Sequence, residues 1–250
     1  MARKASPRKE LADAVDFKPH YLGHRGRLQE RLLRSEGQGL PDYEILEIIL
    51  AAANPRGDTK PLSKALIAEF GGLGEVFSAH PDAIRRVKAE IDGMRRGLGD
   101  AGIAMLKAVR EASLRLSKSE LKQADVIGSW DKLIDYCKAN IAHGKIEEFH
   151  LLFLDRKNAL IEHERQQRGT IDHTPVYPRE VVKRALELNA AALILVHNHP
   201  SGDPTPSKAD IAVTRDIIKA AGPVGVTVHD HLIIGRGGHS SLRDLGLLSG

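Results

Sequence analysis

The residues best suited to chemistry lie in the segment HNHPSGDPTPSKAD, residues 197–210. It follows AALILV, an apolar run too short for a helix, which reads as a buried strand. Residues two apart in extended backbone project to the same side. His197 and His199 can therefore turn their imidazoles toward one ion. Pro200, Gly202, Pro204 and Pro206 bend the chain back, and SKADIAVTRDIIKAAG reads as a capped helix with Asp210 near its start. Two histidines and one carboxylate make a catalytic zinc set with a fourth position left for water, at ligand distances of about 2.0–2.2 Å. Each residue also has a plainer role. Ser207 and Asp210 form S-x-x-D, a variant of the capping box that stabilises a helix start without catalysis. A single histidine is more often structural than ligating, but two on one side of a strand, followed by a stiff turn, favour the metal. The sequence has no H-E-x-x-H helix. Cys137 is the one cysteine, so the P-C-x-x-C pair of a nucleobase deaminase is excluded.

The surrounding elements follow from hydrophobic periodicity. Residues 1–19 are charged and poor in large apolar side chains, as in a disordered basic tail. Helical patterning begins at Tyr21, with Leu28, Leu32 and Leu33 on one stripe. A second helix, DYEILEIILAAA, opens after Pro41 and stops before Asn54-Pro55; a third follows Pro61 and stops at Gly71-Gly72. Residues 80–117 read as two more helices joined by GLGDAG. The polar stretch SKSELKQAD suggests a linker over 118–127. Beyond it SWDKLIDYCKANI is an amphipathic helix, FHLLFLD and NALIEHE are strands around the turn Arg156-Lys157-Asn158, PREVVKRALELN is a helix and VTVHDHLIIG a strand. The expected fold class is mixed: an all-helical region over 20–117 and an α/β domain over 128–250.

The bulk properties suit a globular protein. The hydrophobic fraction is 42% and the charged fraction 28%. The longest apolar run is far short of the roughly 20 residues of a membrane helix, and no apolar region follows the basic N-terminus as a secretory signal requires. A reducing cytoplasm is the natural setting for a chain with a single cysteine. Of 37 Lys/Arg, 21 lie in residues 1–120, against 17 of the 33 Asp/Glu, so the net +4 sits in the first half. This suits contact with an acidic partner such as nucleic acid, and equally a solvated, mildly basic face. Gly97 and Gly99, ahead of a helix that carries Lys107, could let backbone amides approach a phosphate.

The spacing H-x-H, seven residues, S-x-x-D resembles the JAMM motif of MPN-domain metalloproteases. The fuller string, with VYPREVV before it and DHLIIG after it, resembles the RadC family. In the first half GHRGRLQERLL, DYEILEIIL, PRGDTKPLSKALIAEFG and GLGDAGIAMLKAV are similar to the N-terminal RadC region, although VKAEIDGMRRGLG is longer than the usual approach to its hairpin. The resemblance implies a cytidine-deaminase-like α/β fold for the C-terminal domain and a helix-hairpin-helix with sequence-independent DNA contacts in the N-terminal one. It implies one Zn2+ held by His197, His199 and Asp210, with Glu147 as general base in preference to its neighbour Glu148, and Ser207 stabilising the oxyanion. Peptide or isopeptide bonds are the substrate class of such relatives. His229 and His231 form a second i, i+2 pair; Asp230 and His231 are read as structural support. Two other classes stay open: a DNA-binding protein with a structural zinc, and a metal-dependent nuclease. The literal string HNH does not itself support the latter, because HNH nucleases spread those residues over a ββα motif.

Overall fold

A computed structural model describes residues 21–55, 57–169 and 176–248. The expected tail over 1–19 lies outside them. The first half holds α1 (Tyr21–Ser35), α2 (Asp42–Ala53), α3 (Lys60–Phe70) and the short α4 (Leu73–Ser78) and α5 (Pro81–Arg86). Leu46, Leu50, Leu62, Leu66, Val76 and Ile84 form its core. Leu28 joins the buried set, but Leu33 is 81% exposed, so the inward stripe of α1 is narrower than its leucines suggest. Glu44 and Glu47 of α2 are buried instead, paired with Arg31 at 2.9 Å and His24 at 3.0 Å of α1.

This half is not all-helical. A hairpin of β1 (Lys88–Ile91) and β2 (Met94–Gly97) follows α5. Asp92 and Gly93 make its two-residue turn with φ of 52° and 72°, the left-handed pair of a type I′ turn. Ala89 and Ile91 alternate into the helical core. The extra length of VKAEIDGMRRGLG is this hairpin. The expected linker over 118–127 is also corrected: α6 runs unbroken over Asp100–Gln123. Its polar tail is a solvated helix face whose Lys118 pairs with Glu162, while Leu121 is buried in the core of the second half.

The second half is a five-stranded sheet in the order β4-β3-β5-β6-β7, between helical layers. Strand β3 (Glu148–Leu154) pairs antiparallel with β4 (Leu160–Arg168) and with β5 (Ala192–Asn198); β5 pairs parallel with β6 (Thr227–Gly235), and β7 (Gly238–Ser241) closes the edge. All seven residues of β5 are buried, as a central strand covered on both faces requires. On one face α7 (Trp130–Ile141) packs through Leu133, Ile134 and Cys137. On the other, α8 (Pro178–Glu187) and α9 (Lys208–Ala221) pack through Val181, Ala185 and Ile217. No described helix is long and apolar enough to cross a membrane.

The α7 face also encloses a polar row. Tyr136 Oη lies 2.6 Å from His163 Nδ1, and His163 Nε2 lies 2.9 Å from His150 Nδ1. Burial, with Arg165 nearby, pushes His150 down from 6.5 to about 4. Burial, with His150 and Lys118, pushes His163 down to about 3. Both are neutral when folded and take up protons near 6.5 once unfolded, so the unfolded state binds more protons between these values. Their contribution is present above about pH 6.5 and lost as the pH falls toward 4. His150→Leu with His163→Phe should flatten the fall of melting temperature across that window, and a slope equal to wild type would disprove the assignment.

Candidate metal centre

Strand β5 ends where α9 begins, and there the expected ligands meet. His197 is fully buried at the strand end, and His199 stands one residue beyond it. Their Nε2 atoms are 2.9 Å apart. Asp210 Oδ1 lies 3.3 Å from His197 Nε2 and Oδ2 lies 3.6 Å from His199 Nε2. Among the described residues these three form the one group of its kind, with ligand atoms within 4.8 Å of one another. A tetrahedral ion sets its ligand atoms roughly 3.3–3.5 Å apart, so the spacing fits a small divalent cation.

The electrostatics fit as well. His199 Nδ1 faces the Asp203 carbonyl oxygen at 2.7 Å. A carbonyl only accepts, so Nδ1 carries the ring proton and the neutral ring leaves Nε2 bare. Burial acts to raise the Asp210 carboxyl, but the polar groups of His197, His199 and Ser207 beside it outweigh burial and hold it far below the usual carboxylate range. Asp210 in turn raises His199 against its burial, with the Asp203 carbonyl and the Glu147 carboxylate adding to the rise. The site attracts positive charge.

Capping and ligation are compatible. Ser207 Oγ accepts from Asp210 N at 3.1 Å, and Asp210 Oδ2 accepts from Ser207 N at 2.7 Å. The capping box thereby aims Oδ1 toward His197.

The register of β3 fixes what faces the ligand strand. Phe149 pairs with His197 and its ring stacks on the imidazole at 16° between planes. Glu147, two residues earlier, lies just before β3 begins, and its carboxylate acts on His199. Glu148 faces the other way, where Arg165 reaches it at 2.9 Å. Asn198, between the two ligands, was missed in the sequence. It is fully buried, its Oδ1 accepts from Glu148 N at 2.8 Å, and its Nδ2 donates to Ile146 O at 3.1 Å. It ties the Glu147 segment to the ligand strand. The signal was an amide side chain at the one position of H-x-H that must point away from the ion.

The remaining expected residues lie elsewhere or act structurally. His229 meets Asn158 at 2.9 Å, away from the ligands. Asp230 accepts from Ser241 Oγ and from the backbone of His231 and Arg243, pinning β7 and the turn after it. His231 lies directly on His197, with Nε2 2.8 Å from its Nδ1. In the first half, Gly97 ends β2 and Gly99 caps α6. At that helix start Asp100 pairs with Arg85 at 2.9 Å. The Lys107 ammonium turns inward, donating to the carbonyls of Phe77 and Ala79. The structure does not gather these three into a common surface with the metal ligands.

The turn after His199 rests on β6. Gly202 has φ of 94°, and a Cβ on Gly235 would lie 2.3 Å from Gly202 O. Only glycine admits that approach. Gly235→Ala should cost about 1–3 kcal/mol through overpacking and loosen the turn that holds His199. Thermal melting checks this, and a melting temperature equal to wild type would refute the contact.

Residues 127–247 match the family model of the RadC-like JAB domain. The matched span takes in α7 through β7 with both histidines, Asp210 and Glu147. Residues 127–247 are thus a RadC-like JAB domain.

Proposed function

We propose that this chain is a zinc-dependent hydrolase of JAMM type acting on the amide bond of a peptide or isopeptide. The observation that carries this reading is a ligand set left open among the described residues. Three protein donors converge, and the carboxylate of Glu147 bears on the same centre. A structural zinc is usually closed by a fourth protein ligand, whereas a catalytic one keeps a place for water.

His197, His199 and Asp210 would hold the ion. When bound, zinc supplies a polarised water whose pKa falls toward about 7. Glu147 accepts a proton from the attacking water and delivers it to the leaving amine. The pull of its carboxylate on His199 supports that role. Ser207 spends its oxygen in the cap as an acceptor. Its hydroxyl proton stays available to an oxyanion, and the side chain is exposed beside the site.

Glu147→Gln keeps size and hydrogen bonding but removes the proton acceptor. It should retain zinc while hydrolysis of a fluorogenic peptide pool falls by about 10²–10⁴. Asp210→Ala should lose the metal by elemental analysis after gel filtration. If Glu147→Gln releases zinc as readily as Asp210→Ala, then Glu147 is a ligand and the scheme fails.

A further inference from the structure

A metal ligand must present a bare nitrogen, and a neutral imidazole carries its single proton on either of two. For His199 the Asp203 carbonyl settles the choice. For His197 no such group is at hand. Its Nδ1 meets another imidazole, Nε2 of His231, at 2.8 Å, and that contact alone permits either direction of donation.

The next link resolves it. His231 Nδ1 lies 2.5 Å from Thr214 Oγ1, and the Thr214 hydroxyl bonds the carbonyl oxygen of Asp210, one turn earlier on α9. A carbonyl has no proton to give, so the hydroxyl proton goes to Asp210. Thr214 Oγ1 then offers only lone pairs, and His231 Nδ1 must donate. His231 is fully buried, and among the described residues its ring nitrogens meet only Thr214 and His197, so the ring has one proton to place. Its one proton is on Nδ1, its Nε2 accepts, and His197 Nδ1 donates. His197 Nε2 is thereby bare where it faces His199 Nε2 and Asp210 Oδ1. The path closes on itself, because the Asp210 carbonyl orders the protons and the Asp210 carboxylate meets the nitrogen they leave bare.

We propose that Thr214 and His231 are positioning residues that fix the proton of His197 on Nδ1 and so keep its Nε2 ready for the metal. This rests on the zinc reading above only for its consequence, not for the proton order. Ligand histidines usually lean on a carboxylate or carbonyl, and loss of such partners costs about 10–100-fold in metal affinity. Here a histidine and a threonine relay the carbonyl's effect.

The test uses the full-length protein stripped of metal at pH 8. Long-range proton–nitrogen spectra of the imidazoles should show His231 and His197 protonated at Nδ1 alone. Thr214→Val removes the acceptor at constant shape. His231 should then move its proton to Nε2 and push that of His197 onto the metal-facing nitrogen. Zinc affinity by chelator competition should fall about 10–100-fold, and Thr214→Ser should restore the wild-type spectrum and affinity. A wild-type His231 protonated at Nε2 overturns the proposal with no variant needed. So does Thr214→Val with unchanged spectra and affinity. Wild-type protein that has the expected tautomers but binds no zinc would sink the hydrolase reading and leave the proton order standing.

Discussion

Two bare imidazole nitrogens 2.9 Å apart, with an ionised carboxylate oxygen 3.3 Å from one of them, repel unless positive charge lies between. The rest of the JAB domain can be understood as the apparatus that holds these groups in that arrangement. Burial of β5 on both faces fixes the backbone that carries His197. The capping box of α9 fixes the Asp210 carboxylate. The turn through Gly202, seated on Gly235, fixes His199 and the Asp203 carbonyl behind it. Stored repulsion of this kind favours a cation, because binding one relieves it.

The alternation of a strand lets one short segment serve two purposes. Odd positions of β5 face α8 and α9 and end in His197. Even positions face α7 and end in Asn198, whose amide grips the chain on either side of Glu147. The Glu147 segment is therefore tied directly to the strand that carries His197. His231 extends the same logic to β6, opposite Leu195 and on the His197 side of the sheet.

What could be read from the sequence was whatever depends on local pattern. The strand AALILV, the proline turn and the S-x-x-D start of α9 each carry their own signal, and together they predict the ligands. The choice of Glu147 over Glu148 came from family resemblance; the residues alone showed only that the two face opposite ways. Elements were misread where a local signal was overlooked or tertiary packing prevailed. Asp92-Gly93 is a strong hairpin signal that went unused because helices flank it. SKSELKQAD looked like a linker because a solvated helix face and a loop share a composition, and only Leu121 gave the helix something to bury. Glu44 and Glu47 went unrecognised as inward residues because their partners lie on α1. Thr214, His231 and Asn198 act across 17 to 54 residues of chain, and no window of sequence contains such pairings.

Helix α6 gives the two halves a common frame. At 24 residues it is roughly 36 Å long. Ile103 and Leu106, near its start, belong to the helical core, and Leu121, near its end, belongs to the sheet core. Arg110 in between donates to the Asn140 carbonyl at the end of α7 at 2.9 Å. A continuous helix buried at both ends resists bending far more than the flexible linker the composition suggested, because bending would break its backbone hydrogen bonds and expose one core or the other. The helical half is therefore held in place against the JAB domain. One cleft is lined by Arg86 of α5 and, from the JAB domain, by Lys145, Arg236 and Pro200, the residue directly after His199. The walls of that cleft come from both halves, so the surface beside Pro200 keeps its shape only while α6 holds the helical half against the JAB domain.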